Sequence, residues 1–563
     1  MPSALPSPFR SRWEQLLVTL VLSLACCCAG AQERLARLFS DHMVMQRGMP
    51  VPVWGWVEPG ETITVTIDAQ TKTAKANDAG KWMLRLDPMQ PGAPRKMTVK
   101  NQAGTIEVND ILVGEVWLAS GQSNMAWPLK QARNGAKEVA ASANPLIRLF
   151  NVPSGLSPKA PADRLPAGNP LAKNMNAWLP ASPATTSEFS AVAYFFARDL
   201  QQKLNVPVGV IANAVDGSPI EAWISHDGLF ADPDFKVVAE YYDGMANFVE
   251  NTAAGKQQLA DMTAQYEAKQ VSLRASGQPP MWPPKYTGPL QSAAFGSTLY
   301  NALINPLLPY GIRGVIWYQG EAQWQRMYEY RGIFPLLIRD WRARWGQGDF
   351  PFVYVQLPNF GRPSAEPEPG GWASLREAQL LTLKVPNTAM AVTIELGEPN
   401  NVHPYNKLDV GQRLALASRG LVYGEKITYS GPIYRSMKVE GGAVRLAFDH
   451  VGQGLMVGKK TGAEPTVEDK EGKLNRFAIA GEDMKFTWAE ARIENGTVVV
   501  SSPTVPKPVA VRYAWADNPD GCNLYNKDGL PASPFRTDES KPQVMGDYYR
   551  NRLSKGFVVT PAF

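Results

Sequence analysis

Apolar and polar positions alternate with period two over residues 34–108. The clearest run is Thr62-Ile63-Thr64-Val65-Thr66-Ile67, entered by the Pro59-Gly60 turn, and Trp82-Met83-Leu84-Arg85-Leu86 follows the Asp78-Ala79-Gly80 turn. Such alternation places every second side chain on one face, and short half-buried strands between turns predict a small β-sandwich over 32–108. From 109 the pattern changes. Ile111-Leu112-Val113 through Leu118, Val208–Ile211, Gly314–Tyr318, Phe352–Gln356 and Ala389–Ile394 are near-continuous apolar runs. Helical stretches at Phe196–Leu204, Leu299–Leu308 and Lys407–Ser418 lie between or after them. Strands apolar on both faces, alternating with helices, predict a parallel sheet covered on both sides: an α/β domain over 109–423. A polar helix and a Pro-rich run (Pro279, Pro280, Pro283, Pro284) interrupt it at about 250–290, as an insertion or lid. Short β segments then return, with Thr497–Val500 after the Asn495-Gly496 turn and a further strand at Val509–Tyr513. They predict a β-rich module over 424–515, followed by a closing segment, 516–563, that packs back on the α/β domain.

The amino terminus adds a different signal. Arg10 and Arg12 precede an apolar run from Leu16 to Cys28, and Ala29-Gly30-Ala31 offers a small-residue cleavage site. This order is that of a secretory signal over 1–31, too short for a comfortable membrane span. Three of the four cysteines lie inside it, leaving Cys522 alone. An exported chain with one cysteine has no internal disulfide and depends on its cores, which favours a bacterial periplasm or the cell exterior. The formal net charge is only +5 and the basic residues are scattered, which excludes a nucleic-acid stripe. The 16 tryptophans hint at a carbohydrate ligand, although most are expected in the core.

Candidate chemistry gathers at the carboxyl ends of the α/β strands, where open parallel sheets bind ligands. Ser120-Gly121-Gln122-Ser123-Asn124-Met125 follows the first strand, and a serine at such a turn offers either a nucleophile or a helix cap. Asp216-Gly217-Ser218 follows the second, where glycine allows close backbone approach. Trp317-Tyr318-Gln319-Gly320-Glu321 ends a third strand; its Gln amide could donate to an oxyanion and Glu321 could orient it. Glu398-Pro399-Asn400-Asn401-Val402-His403-Pro404 closes the last unit. Of the four histidines, His42 and His450 lie in β territory and His226 follows Trp223, so His403 is best placed as a general base. There is no G-x-S-x-G elbow, no H-E-x-x-H and no paired C-x-x-C, so neither an α/β-hydrolase proper nor a catalytic metal is expected.

Together, Gly-Gln-Ser-Asn-Met, Gly-Ser-Pro-Ile-Glu-Ala-Trp, Val-Ile-Trp-Tyr-Gln-Gly-Glu and His-Pro-Tyr-Asn-Lys, in this order, resemble the sialate O-acetylesterase family of SGNH-type hydrolases. The resemblance extends to Leu375–Gln379 and Asn523–Lys527 and covers nearly all of the mature chain. It implies that Ser123 is the nucleophile and His403 the base. Gly217 and Gln319, with the Ser123 N–H, are then the oxyanion hole. No cofactor is implied, and the substrate is an acetylated carbohydrate, either a sialic acid or a plant cell-wall polysaccharide. Gln122, Glu321 and Arg376 are expected to meet it; a sialate site should offer an Arg for the carboxylate, and Arg326, Arg331 and Arg376 lie in or near strand-end segments. One position departs from the family pattern. Where an Asp usually stands two or three residues before the histidine, this chain has Asn400 and Asn401. Glu398 is therefore expected to be the acid, with Glu395 and Asp216 behind it, or neutral groups support a Ser–His dyad. A non-catalytic carbohydrate-binding protein and a glycoside hydrolase using Glu321 and Glu398 are the alternatives.

Overall fold

The computed structural model describes residues 34–167, 174–279, 288–368, 370–539 and 543–559. The expected signal over 1–31 and Pro280, Pro283 and Pro284 of the Pro-rich run lie outside the described residues. The centre is a sheet of seven strands: β1 (Gly104–Gly121), β2 (Asn144–Asn151), β3 (Trp178–Ala181), β4 (Val208–Ala214), β5 (Gly314–Tyr318), β6 (Phe352–Gln356) and β7 (Thr388–Val392). Their spatial order is β7-β6-β5-β1-β4-β2-β3, parallel throughout except for β3 at one edge. β5, β6 and β7 are buried along all or nearly all of their length, which is why they read as unbroken apolar runs. The expected α/β sheet is present.

The chain enters this sheet in the middle, lays β2 and β3 toward one edge, returns to insert β4 beside β1, and crosses over to build β5–β7 on the other side. The order therefore reverses at β1, and the carboxyl ends of β1, β4 and β5 open a crevice there. β1 also serves the amino-terminal β layer. Its first half pairs antiparallel with Arg95–Asn101, and from Glu115 onward it pairs parallel with β4. Asp110 at φ 53° and a register shift between Arg95 and Met97 mark a bulge that lets one strand change sheets. The boundary expected near residue 109 thus falls inside a continuous strand. Strands Val51–Trp56 and Lys81–Leu86 form a separate pair in this layer.

The helices around the sheet are α1 (Ser123–Ala126), α2 (Ala191–Leu204), α5 (Tyr330–Trp345), α6 (Trp372–Leu381) and α7 (Lys407–Val422), while α3 (Lys236–Asn251) and α4 (Ala253–Ala275) pack on each other. The helix expected at Leu299–Leu308 is instead a π turn at Tyr300–Ile304 running into a tighter turn at Asn305–Leu307, because Pro306 removes a backbone donor. Most tryptophans are core, as expected: Trp317 packs edge-on against Trp223 and Trp341 beneath β5, while Trp324 stands 62% exposed. Beyond 424, Ile433–Glu440, Ala443–Asp449, Thr497–Ser501 and Glu490–Glu494 form an antiparallel sheet. The closing segment first returns to this β region through Leu524–Asn526 and Phe535–Arg536. Its last helix, α8 (Asp547–Ser554), then lies against α3. Among the described residues no helix is long and apolar enough to cross a membrane.

Candidate active site

The turn after β1 sets the first element of the site. Gly121 has φ 141°, and a Cβ there would meet Tyr318 O at 2.1 Å, so only glycine lets β1 and β5 close up at this point. Gln122 follows in extended conformation, and Ser123 opens α1 with its side chain partly exposed. A residue at the first helical position has no intrahelical acceptor for its N–H. Among the described residues neither the Ser123 N–H nor the Gly217 N–H has a hydrogen-bond partner. Gly217 stands exposed in the turn after β4 with φ 64°.

The loop between β7 and α7 brings the second element. His403 Nε2 lies 2.7 Å from Ser123 Oγ, across 280 residues of chain. The ring stacks on Trp127, with centroids 5.0 Å apart and planes 21° from parallel, and the His403 N–H donates to Asn401 Oδ1 at 2.9 Å. Burial pushes the His403 pKa down; the nearby Lys407 charge lowers it further, and Asp216 opposes both. The ring is thus biased toward the neutral form that can accept a proton.

Beneath this pair runs a buried polar relay. Asn124 Nδ2 donates to Glu321 Oε1 at 2.5 Å and to Val402 O at 2.9 Å, and Asn124 Oδ1 accepts from Lys407 Nζ. Asn124 follows the serine and Val402 precedes the histidine, so one amide ties the two loops together. Lys407 is fully buried, and that burial pulls its ammonium down to about 7. Burial pushes Glu321 the other way, upward, and its Oε2 has no partner among the described residues. Asn124 and Lys407 both lie within the sequence motifs, but a buried clamp looks like ordinary packing in a sequence, so no local signal marks either.

Several expected site residues are placed differently. Glu398 accepts from the Tyr405 N–H at 3.1 Å and lies 3.9 Å from Arg133; among the described residues no hydrogen bond joins it to His403. Its loop turns the carboxylate onto its own backbone, so the expected acid is not aimed at the base. Gln319 is fully buried, with its amide donating to Ser218 O and Gln323 Oε1, so no amide hydrogen is left for an oxyanion. Gln122 points inward and accepts from the Ala322 N–H at 3.3 Å, which pins the turn after β5 rather than meeting a substrate. Glu321 bonds Asn124 and not Gln319. Arg376 has no exposure at all. It donates to Leu357 O, Pro358 O, Ala516 O and Asp517 O, tying the closing segment to β6 and α6. Arg326 pairs with Glu221 and Arg331 with Glu377.

A Ser–His pair at hydrogen-bond distance, with two unengaged N–H groups in the turns after β1 and β4, is the equipment for acyl transfer through a serine ester. Among the described residues no group of three His, Cys, Asp or Glu side chains could hold a metal ion. Comparison with known proteins agrees. The family model described as carbohydrate esterase, sialic acid-specific acetylesterase, matches residues 286–419. The chain is 30% identical to the sialate O-acetylesterase of Mus musculus, over 92% of its own length and 97% of the relative's. It is also 30% identical to that of Homo sapiens, over 92% and 96%. Among solved structures it matches a carbohydrate acetylesterase from Xanthomonas citri at 38% identity with a TM-score of 0.73, covering 90% of this chain and 100% of that one. The chain belongs to the sialate O-acetylesterase family and is a carboxylic ester hydrolase.

Proposed function

We propose that the chain is an exported esterase that removes O-acetyl groups from sugars through a Ser123 acetyl-enzyme. The observation that carries this reading is the 2.7 Å contact between Ser123 Oγ and His403 Nε2. As Ser123 Oγ attacks the acetyl carbonyl, His403 Nε2 takes its proton, and the carbonyl oxygen becomes an oxyanion facing the Ser123 and Gly217 N–H groups. His403 then returns the proton to the departing sugar hydroxyl. In the second half a water gives its proton to His403 and attacks the acetyl-serine; His403 returns that proton to Ser123 Oγ as the acyl–oxygen bond breaks and acetate leaves. Gln319 supports the hole from behind, holding Ser218 O beside Gly217. The Asp216 charge favours the imidazolium, against burial and the Lys407 charge. Export rests on the 1–31 segment, and the sugar is a sialic acid or a plant polysaccharide.

The two-carboxylate glycosidase finds no support in this geometry, because Glu321 is buried against Asn124 and Glu398 faces Tyr405. A binding-only protein has no use for an aligned Ser–His pair. The test is turnover of 4-nitrophenyl acetate by wild type, Ser123→Ala and His403→Ala. Each variant is expected to lose about three orders of magnitude or more while keeping its fold. Near-normal rates in Ser123→Ala would sink the covalent mechanism. Acetate release from acetylated sialic acid, xylan and xyloglucan, measured side by side, ranks the substrates.

A further inference from the structure

The arginines named in the sequence as partners for a sugar carboxylate are all engaged elsewhere. A different one lines a cavity that begins at the Gly217 turn. From the Gly217 turn a cavity of about 340 Å³ extends along Tyr242, Trp324, Arg326 and Tyr549 to Arg552 on α8. That volume lies in the range of small-ligand sites. Two of these side chains are already committed, with Glu221 of the same wall: Arg326 pairs with Glu221, and the Tyr549 hydroxyl bonds both. Their charges cancel inside the wall.

Arg552 is different. Its Nε donates to Tyr241 Oη at 3.1 Å and its Nη1 to Tyr548 Oη at 2.6 Å. Its guanidinium carbon lies 5.5 Å and 5.3 Å from the same two ring centroids. Among the described residues it forms no ion pair with a carboxylate, and its Nη2 makes no hydrogen bond. Neutral phenols thus hold a half-buried cation in a fixed orientation without neutralising it. A guanidinium so placed retains two-point geometry for a carboxylate, and partial desolvation strengthens that attraction. Trp324, 62% exposed on the rim, adds an apolar face against which a sugar ring can pack.

We propose that this cavity is a subsite for the carboxylate of an acetylated acidic sugar, a nonulosonic or a hexuronic acid, with Arg552 as its anchor. This rests on the esterase reading above: the acetyl group sits at Ser123 and Gly217 while the acid reaches α8. The methyl ester of the same acetylated acid is the natural control, since it keeps the shape and removes the charge.

Acetate release is measured for O-acetylated N-acetylneuraminic acid and O-acetylated glucuronic acid, each as free acid and as methyl ester. The enzymes compared are wild type, Arg552→Gln and Arg552→Lys. Wild type is expected to show a KM roughly ten to a hundred times lower for at least one free acid than for its methyl ester, as for one charge-assisted contact. Which sugar shows the preference identifies the source of the carboxylate. The preference should collapse in Arg552→Gln, survive in part in Arg552→Lys, and weaken with added salt. Equal KM for acid and ester in wild type overturns the subsite, whatever the variants do; so does an unchanged preference in folded Arg552→Gln. A failure of the esterase reading looks different: wild type would then release no acetate from any of the four substrates, or Ser123→Ala would release it as fast as wild type.

Discussion

Replacing Lys407 by Met removes a buried charge from behind the base while keeping an unbranched chain of similar length. Lys407 Nζ lies 5.7 Å from the Trp127 ring centroid, and that ring lies 5.0 Å from the His403 ring, so ammonium and imidazole are at most about 11 Å apart. At that distance and an effective dielectric of about 20, two unit charges repel by about 1.5 kcal/mol, roughly one pH unit on the His403 titration. The sign follows from the charge. The lysine cation disfavours the imidazolium, so removing it raises the His403 pKa, and the acid limb of kcat/KM moves to higher pH by about one unit. Lys407 itself is held down to about 7, so its charge is present across the acid limb and fades above it. The assay is kcat/KM for 4-nitrophenyl acetate from about pH 4.5 to 8. A limb that stays in place, or moves to lower pH, refutes the electrostatic link. Stability offers a second reading. The folded lysine titrates near 7 and the unfolded one near 10.5, so the folded state binds fewer protons between these values. Wild type should therefore gain stability on the Met variant as pH rises through that window, and the cost of the buried charge is fully present below it. Denaturant midpoints across the window check this.

Asp216→Asn should move the same acid limb the opposite way, to lower pH, because Asp216 favours the imidazolium. Glu398→Gln should leave the limb in place and change the rate by less than about threefold, against the ~10⁴ typical of a lost triad carboxylate. A larger loss would restore Glu398 as the acid. Arg376→Ala strips three buried carbonyls of their donor, and a fourth, Asp517 O, of one of two, and should cost about 3–5 kcal/mol, read as a lower urea midpoint. An unchanged midpoint would show that the closing segment is held by other contacts.

The periodicity was sufficient for the α/β sheet because β5, β6 and β7 are buried on both faces, and burial on both faces leaves an unbroken apolar run. The Ser123–His403 contact was likewise legible, since the motifs pointed to both residues. Each sits at a strand end, in a short motif whose local geometry the neighbouring glycine or loop residues dictate. Side-chain direction inside a loop is another matter. Glu398 lies close to His403 along the chain, yet its carboxylate turns to the Tyr405 N–H, whereas Asp216, from a different loop, acts on the ring. Arg376 looked like a ligand group because its partners, Ala516 and Asp517, lie about 140 residues further on. The same holds for the cavity beside Gly217, where Arg552 and Tyr549 arrive from the last helix. Local sequence determined the elements and pointed to the Ser–His pair proposed to react, because backbone propensity and burial act over a few residues. Which polar group faces which was decided only by tertiary packing, since a buried hydrogen bond or charge pair is made with whatever distant segment the fold brings alongside.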